Sequence, residues 1–228
     1  MPEYHLLRVF CAEDGSGGNA LAVFLDGHEV PEGDRQGVAA ELGLSETVFV
    51  DDAARGAIRI FTPAVELDFA GHPTVGAAWL LAEERAPVEA LRPPAGRVDV
   101  RYENGMSFVS GRPEWPPQFE LEQLASPAEV DALTGPRGGH DMYCAWAWAD
   151  EPAGVLRSRV FPVAIGIHED EATGSAAVQL GARAGRPIDI RQGRGSRILA
   201  RPRGEGSVEI GGRTVLEAVD ALETPPPS

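Results

Sequence analysis

The 228-residue chain reads as an α+β protein of two similar lobes, each wrapping strands around one buried helix. Three observations carry that prediction. Short β-branched and aromatic runs of strand length outnumber helical segments. An internal repeat is visible: Arg59-Ile60-Phe61-Thr62-Pro63 leads through a loop to Thr74-Val75-Gly76-Ala77-Ala78, and Arg159-Val160-Phe161-Pro162 leads likewise to Thr173-Gly174-Ser175-Ala176-Ala177. Arg59 and Arg159 stand 100 residues apart, and Thr74 and Thr173 stand 99 apart. Finally, Thr74 to Glu84 is apolar nearly all round, the pattern of a helix enclosed by protein. The lobes are set at residues 1–108, with 213–223 packing back on the first, and 109–212; residues 224–228, Thr-Pro-Pro-Pro-Ser, read as a disordered tail.

The elements follow in order. Tyr4 to Phe10 and Leu21 to Leu25 read as an antiparallel strand pair around the glycine-rich turn Glu13 to Asn19. Pro31 to Leu42 carries Val38 and Leu42 at helical spacing, acidic residues in its first turn and Gly43 at its end. Thr47 to Val50 and Ile58 to Phe61 are strands, the second closed by Pro63. Pro73 suits the first turn of the helix that runs to Glu84. Further strands are predicted at Arg97 to Tyr102, Met106 to Ser110, Met142 to Trp148 and Arg159 to Ile165, with a weaker helix at Pro127 to Leu133. The last strands are Arg197 to Ala200, Ser207 to Ile210 and Thr214 to Val219.

The formal charge of −15, from 35 acidic and 20 basic residues, opposes binding to nucleic-acid phosphates or anionic lipid, and points to a small-molecule partner. All 20 basic residues are arginines, so chemistry that needs a lysine, such as a Schiff base or a Walker-type phosphate loop, is excluded. Cys11 and Cys144 have no metal-ligand or redox-motif spacing and suggest a reducing compartment. The start lacks a signal-peptide pattern and no apolar run approaches the roughly 20 residues of a membrane span. The expectation is a cytoplasmic protein.

If the two repeat helices converge, a ligand site lies between their starts. His72 precedes Pro73 at one start and Asp170 stands at the matching place before Thr173-Gly174-Ser175. Free N–H groups at helix starts favour a carboxylate, and Gly71, Gly174 and Ser175 permit close backbone approach. Taken singly, His72 and Thr173 read as ordinary helix caps; the repeat is what singles them out. Glu46 shares a strand face with the apolar Val48 and Val50, so its carboxyl would be desolvated and its pKa raised, as suits a general acid/base, although most glutamates in such positions are solvated. The loop His168-Glu169-Asp170-Glu171 has no metal-site spacing, and no metal is expected. The basic stretch Arg191 to Arg203 reads as a surface strand pair answering the acidic body, and Trp146 and Trp148 as core or subunit interface.

Several of these motifs, in this order, resemble the PhzF-like family, which shares the diaminopimelate epimerase fold: Gly18-Asn19-Ala20-Leu21-Ala22-Val23, Leu44-Ser45-Glu46-Thr47-Val48-Phe49, Gly71-His72-Pro73-Thr74-Val75-Gly76-Ala77-Ala78, and Glu169-Asp170-Glu171-Ala172-Thr173-Gly174-Ser175-Ala176-Ala177. The resemblance implies two pseudo-symmetric lobes, each a β-barrel-like roll around a central helix, and a homodimer without cofactor or metal. It implies Glu46 as the proton-moving residue, with His72 and Asp170 beside it. Gly71, Pro73, Thr173, Gly174, Ser175 and Asn19 are the implied substrate-binding residues. The related epimerases carry two thiols at the helix starts, where this chain has Gly71 and Asp170, so a two-cysteine racemase is excluded. The family's usual Asn-Pro, Asp-Pro and Gly-Arg-Pro stand here as Asn19-Ala20, Asp170-Glu171 and Ala200-Arg201-Pro202, and Glu171 is expected to place an extra charge beside the pocket.

The function expected is a proton-shifting isomerase acting on a small unsaturated carboxylic acid of the dihydro-hydroxyanthranilate kind, in secondary metabolism. Carbon–carbon cleavage of a related acid, a non-catalytic metabolite binder and an interaction protein are the alternatives left open by the residues themselves.

Overall fold

The computed structural model describes residues 1–222 of the chain; the predicted tail at 224–228 lies outside the described residues. In chain order the elements are β1 (Glu3–Cys11), β2 (Gly17–Phe24), α1 (Arg35–Leu42), β3 (Glu46–Asp52), β4 (Ala57–Phe61), β5 (Glu66–Leu67), α2 (Gly71–Glu84), β6 (Ala90–Leu91), β7 (Val98–Glu103) and β8 (Met106–Gly111). They continue with β9 (Glu120–Gln123), α3 (Pro127–Asp131), β10 (Met142–Asp150), β11 (Val155–Pro162), α4 (Gly174–Ala184), β12 (Ile188–Gln192), β13 (Ser196–Pro202) and β14 (Val208–Ala221).

The internal repeat is visible in the pairing. In the first half β2 runs parallel to β3, β3 pairs antiparallel with β4, and α2 follows. In the second half β9 runs parallel to β10, β10 pairs antiparallel with β11, and α4 follows. A short helix fills the matching crossover each time, α1 between β2 and β3 and α3 between β9 and β10. One hydrogen-bonded path joins everything, in the order β5-β4-β3-β2-β1-β14-β13-β12-β11-β10-β9, with β8 on β14, β7 on β8 and β6 on β7. β14 is the shared strand: its first part pairs with β13 and β8, and its second part pairs with β1 from Arg213 to Ala221.

α2 is enclosed as its sequence requires: every residue from Gly71 to Ala78, and Leu80 and Leu81, is buried. α4 buries Gly174 and the run Ala176 to Gly181. Small residues let both helices sit close to the strands, so the apolar core extends from Leu7 and Val9 through Val75 and Leu80 to Val178, Ile198 and Ile210. Trp146 belongs to this core, with Trp148 set edge-on to it at 5.4 Å.

Several predicted boundaries move. The helix expected over Pro31 to Leu42 is α-helical only from Arg35, because Glu32 to Asp34 form a tighter turn in which the Asp34 amide donates to Pro31 O at 2.9 Å. α2 begins at Gly71, three residues before the predicted start. The strand expected to reach Ile165 stops at Pro162, and Val163 to Ile165 form a single 3-10 turn. The two strands expected at Ser207 to Ile210 and Thr214 to Val219 are one, β14. Gly211 and Gly212 look like a break in the sequence, yet they lie within the strand because a Cβ on Gly211 would stand 2.3 Å from Phe108 Cδ1 and one on Gly212 2.9 Å from Arg197 O. The short strands β5, β6 and β9 give no sequence signal, because two residues carry no periodicity and Glu120–Gln123 is too polar, and β12 is expected only at its end, in the basic strand pair.

Candidate active site

α2 and α4 meet at their starts. A Cβ on Gly71 would lie 2.7 Å from Gly174 Cα, and one on Gly174 would lie 2.7 Å from Gly71 Cα and His72 N, so the two backbones are in direct contact. This contact brings together residues that are distant in sequence. Glu46, at the first position of β3, is 9% exposed, His72 in the first turn of α2 is 3% exposed, and Asp170, just before α4, is 8% exposed. Alternation along β3 puts Glu46 on the face of Val48 and Val50, as predicted, and both valines belong to the main core.

His72 Nε2 stands 3.4 Å from Glu46 Oε2. Neither atom has a hydrogen-bond partner. Burial pushes the Glu46 carboxyl up to about 7, against a smaller opposing effect of the Ser45 hydroxyl. Burial pushes His72 down to about 4, offset in part by the charge of Asp170 and a hydrogen bond to the Ala20 backbone. At neutral pH the contact is therefore a neutral imidazole beside a carboxyl poised to gain or lose its proton, not an ion pair.

Asp170 is built differently. Its Oδ1 accepts from Asn19 Nδ2 at 2.6 Å and its Oδ2 from Thr173 Oγ1 at 2.6 Å. Burial, and then the charge of Glu46, raise its pKa to about 6, while His72, Thr173 and Asn19 pull the other way. With two donors aimed at it, Asp170 is the member of the carboxyl pair that ionises first. Asn19 also donates to Ala172 O at 3.2 Å and accepts from Ser45 Oγ at 3.3 Å, tying β2 to the loop before α4.

Glu46, Asp170, Thr173 and Ser175 line one side of a cavity of about 30 Å³ whose other walls include Leu67, Phe119 and Ile167. That volume holds about one water molecule, so a cyclic acid enters only when the cleft widens. Of the residues singled out from sequence, Asn19 and His72 stand behind this lining. Gly71 and Gly174 form the helix contact, and Pro73 is buried in the first turn of α2. The capping role is not what the structure shows: Thr173 occupies the N-cap of α4 without a side-chain cap bond and spends its hydroxyl on Asp170. The first-turn amides of both helices have no intrahelical acceptor, which leaves them suited to an anion.

Two expectations are corrected here. Glu171 does not charge the pocket; it turns away, and its Oε1 accepts from the Arg194 amide at 2.6 Å and from Ser196 Oγ at 3.0 Å. The basic stretch is a strand pair whose arginines meet Asp189, Glu103 and Glu209, but it is not only surface: Gln192 and Ser196 are buried behind the site. Gln192 escaped the sequence reading because nothing in its neighbourhood distinguishes it from an exposed turn residue. Cys144, fully buried, is raised to about 12 and Cys11 is raised as well, so neither thiol is poised for thiolate chemistry. Among the described residues no three His, Cys, Asp or Glu side chains converge on a metal position, and no helix is long and apolar enough to cross a membrane.

With this geometry in view, known proteins are informative. The family model described as phenazine biosynthesis-like protein, PhzC-PhzF, matches residues 7–135, more than half of the chain. Trans-2,3-dihydro-3-hydroxyanthranilate isomerase of Pseudomonas aeruginosa is 33% identical, the match covering 93% of this chain and 96% of that protein. An uncharacterized isomerase of Pasteurella multocida is 44% identical over a stretch that covers 44% of this chain and 36% of its own length. Among solved structures, a PhzC/PhzF protein of Clostridium difficile superposes with a TM-score of 0.80 at 20% identity, covering 97% of this chain and 99% of that one, and shows the fold. A predicted epimerase of Pseudomonas aeruginosa follows at 0.74 and 27% identity, covering 98% of this chain and 100% of that one. The fold extends to a probable proline racemase of Agrobacterium radiobacter, with a TM-score of 0.63 at 12% identity, covering 97% of this chain and 92% of that one. Sequence motifs, fold and site geometry therefore agree that the chain belongs to the PhzF family of phenazine biosynthesis-like proteins, whose named relatives here are isomerases.

Proposed function

We propose that this chain is a cofactor-independent isomerase that moves a proton between carbons of a small unsaturated cyclic acid, of the class represented by trans-2,3-dihydro-3-hydroxyanthranilate. The observation that carries the reading is Glu46: a buried carboxyl with a pKa near 7, beside a neutral His72 and facing the same small cavity as Asp170. A group with that pKa gives and takes a proton with nearly equal ease at neutral pH, as a shuttle must. The substrate carboxylate docks against the first-turn amides of α2 and α4, with the Ser175 hydroxyl in reach of its polar groups. One C–H bond breaks as its electron pair enters the conjugated system and Glu46 takes the proton. The C–H bond formed at the other end of that system draws a proton from Glu46, and composition is unchanged. The apolar walls at Leu67, Phe119 and Ile167 suit a ring and exclude water that would divert the proton. We assign the protein to the cytoplasm and to a homodimer; sedimentation velocity at micromolar concentration tests the second point, with a lone monomer peak counting against it.

The test is proton NMR in heavy water with trans-2,3-dihydro-3-hydroxyanthranilate as probe. Deuterium is expected to enter one carbon position, with product mass otherwise equal to substrate mass, and to stop in Glu46→Gln. A mass change through loss of a carbon fragment, or the same deuterium uptake in the variant, overturns the reading.

A further inference from the structure

The turn joining β12 to β13 lies outside the cavity, yet both donors that hold Asp170 lead back to it. On one side is Gln192, 2% exposed, whose amide makes three bonds. Its Oε1 accepts from Thr173 N at 3.2 Å, and its Nε2 donates to Asp170 O at 2.8 Å and to Thr173 Oγ1 at 2.8 Å. A backbone amide only donates and a backbone carbonyl only accepts, so these partners fix which end of the Gln192 amide is nitrogen. Having received the Gln192 N–H, the Thr173 hydroxyl has one proton and one other neighbour for it, Asp170 Oδ2. Gln192 thereby decides the direction of the bond that Asp170 receives.

On the other side is Ser196. Its Oγ accepts from Gly18 N at 2.8 Å and donates to Glu171 Oε1, which also holds the Arg194 amide. Gly18 immediately precedes Asn19, the second donor to Asp170. The backbones meet here as well: a Cβ on Gly17 would lie 2.6 Å from Gly195 C. The titratable groups whose charges reach Asp170 are Glu46 from β3 and His72 from α2. What β2, β11 and β12 contribute is uncharged: Asn19, the Val160 carbonyl that accepts from the Asp170 amide, and Gln192.

We propose that the β12–β13 turn is the positioning element of the site, Gln192 orienting Thr173 and Ser196 orienting Asn19, so that Asp170 stays an ionised acceptor beside Glu46. Glu171, where the family pattern has proline, is the clamp that holds this turn. The inference rests on the assignment of Asp170 to the proposed active site, but its test does not require turnover. In protein labelled with ¹³C at the aspartate carboxyls, with Asp170 assigned through Asp170→Asn, the titration of Asp170 is followed in the wild type, Gln192→Met, Thr173→Val and the double variant. Loss of the Thr173 hydrogen bond is expected to move the Asp170 midpoint upward by about one pH unit in Thr173→Val, and a smaller upward shift is expected in Gln192→Met, where the hydroxyl remains but is no longer held toward Oδ2. Because Gln192 acts through Thr173, the double variant is expected to move no further than Thr173→Val. Ser196→Ala is expected to shift the midpoint in the same direction by less, and carries the test should Gln192→Met fail to fold. An unmoved Asp170 in either Gln192→Met or Ser196→Ala, or shifts that add in the double variant, overturns the assignment. If the carboxyl moves as expected but the wild type exchanges no deuterium into the probe, the proposed reaction fails and the positioning role stands.

Discussion

Glu46→Gln is expected to lower proton exchange into substrate by 100- to 10,000-fold, about the contribution of a well-placed general acid/base, and at the same time to make the protein more stable. Both effects come from one cause. Burial holds the Glu46 carboxyl near 7, so folding at higher pH has to desolvate a charge that the unfolded chain carries freely. The stability contributed by the protonated form is fully present below the ordinary glutamate value of 4.5 and is lost as pH rises through about 7. Glutamine is neutral throughout, so the two proteins should match near pH 4 and diverge with rising pH. Well above pH 7 the variant should lead by on the order of 3 kcal/mol, or roughly 9 °C in Tm. His72 has the opposite sign: lowered to about 4, it contributes stability above 6.5 that is lost as pH falls toward 4, equally in both proteins, and so cancels from the comparison. Urea unfolding at pH 4, 6 and 8 with parallel exchange assays checks both. A variant that is inactive but less stable at pH 8 would mean that Glu46 is a structural partner of its neighbours rather than a strained catalytic group.

The second large effect is expected at Gly71. Its alanine variant would press a methyl group to 2.7 Å from Gly174 backbone atoms and from Ile210 Cδ1. Backbone at the start of a helix cannot turn aside as a side chain can, so α2 and α4 must separate. We expect a loss of about 3 kcal/mol, at the upper end for an overpacked core. We also expect at least a tenfold drop in exchange from the molecules that do fold, because Glu46 and His72 would move relative to Asp170 and Ser175. Gly76→Ala is the control. It meets Leu21 Cδ2 at 2.5 Å and Val9 Cγ2 at 2.8 Å, which are side chains of the core and not the backbone of the other helix, so α2 and α4 need not separate, and its cost is expected to be smaller and its activity near that of the wild type. Equal stability of the Gly71 variant and the wild type would show that the two helix starts are not held in fixed contact.

The features legible in the sequence are those written locally. A helix apolar on every side, a glutamate alternating with Val48 and Val50, and a motif recurring after about 100 residues each report burial or placement without reference to any partner, and each is found where it was read. The nearness of His72 and Asp170 follows once two copies of one unit pack helix start to helix start, whereas the place of Glu46 beside them is implied only by the family motif. Illegible were the features that depend on which strand lies opposite. Glu171 reads as a pocket residue because it adjoins Asp170, but its carboxylate is taken by the Arg194 amide and Ser196, partners reached only through the β12–β13 turn. Gln192 is invisible for the same reason: its role is defined by three bonds across the chain, not by its neighbours in sequence. The glycines within β14 read as a break because a strand glycine usually weakens a strand, and only the closeness of Phe108 shows why they are there.

β14 also bears on how the protein comes into being. Its second part lies against β1, pairing Glu3 with Ala221, so the two ends of the described chain are neighbours in one ladder. Synthesis delivers β1 well before β14, and until residue 221 has emerged β1, paired with β2 on one side, keeps its other row of amides and carbonyls unpaired. The free edge of β1 therefore waits for β14, whatever the order in which the helices form. Closing so long a loop is slow, and the open strand edge is meanwhile available to other chains. A chain interrupted shortly before β14 would lose the strand common to both lobes, and with it the fixed meeting of helix starts on which the site depends.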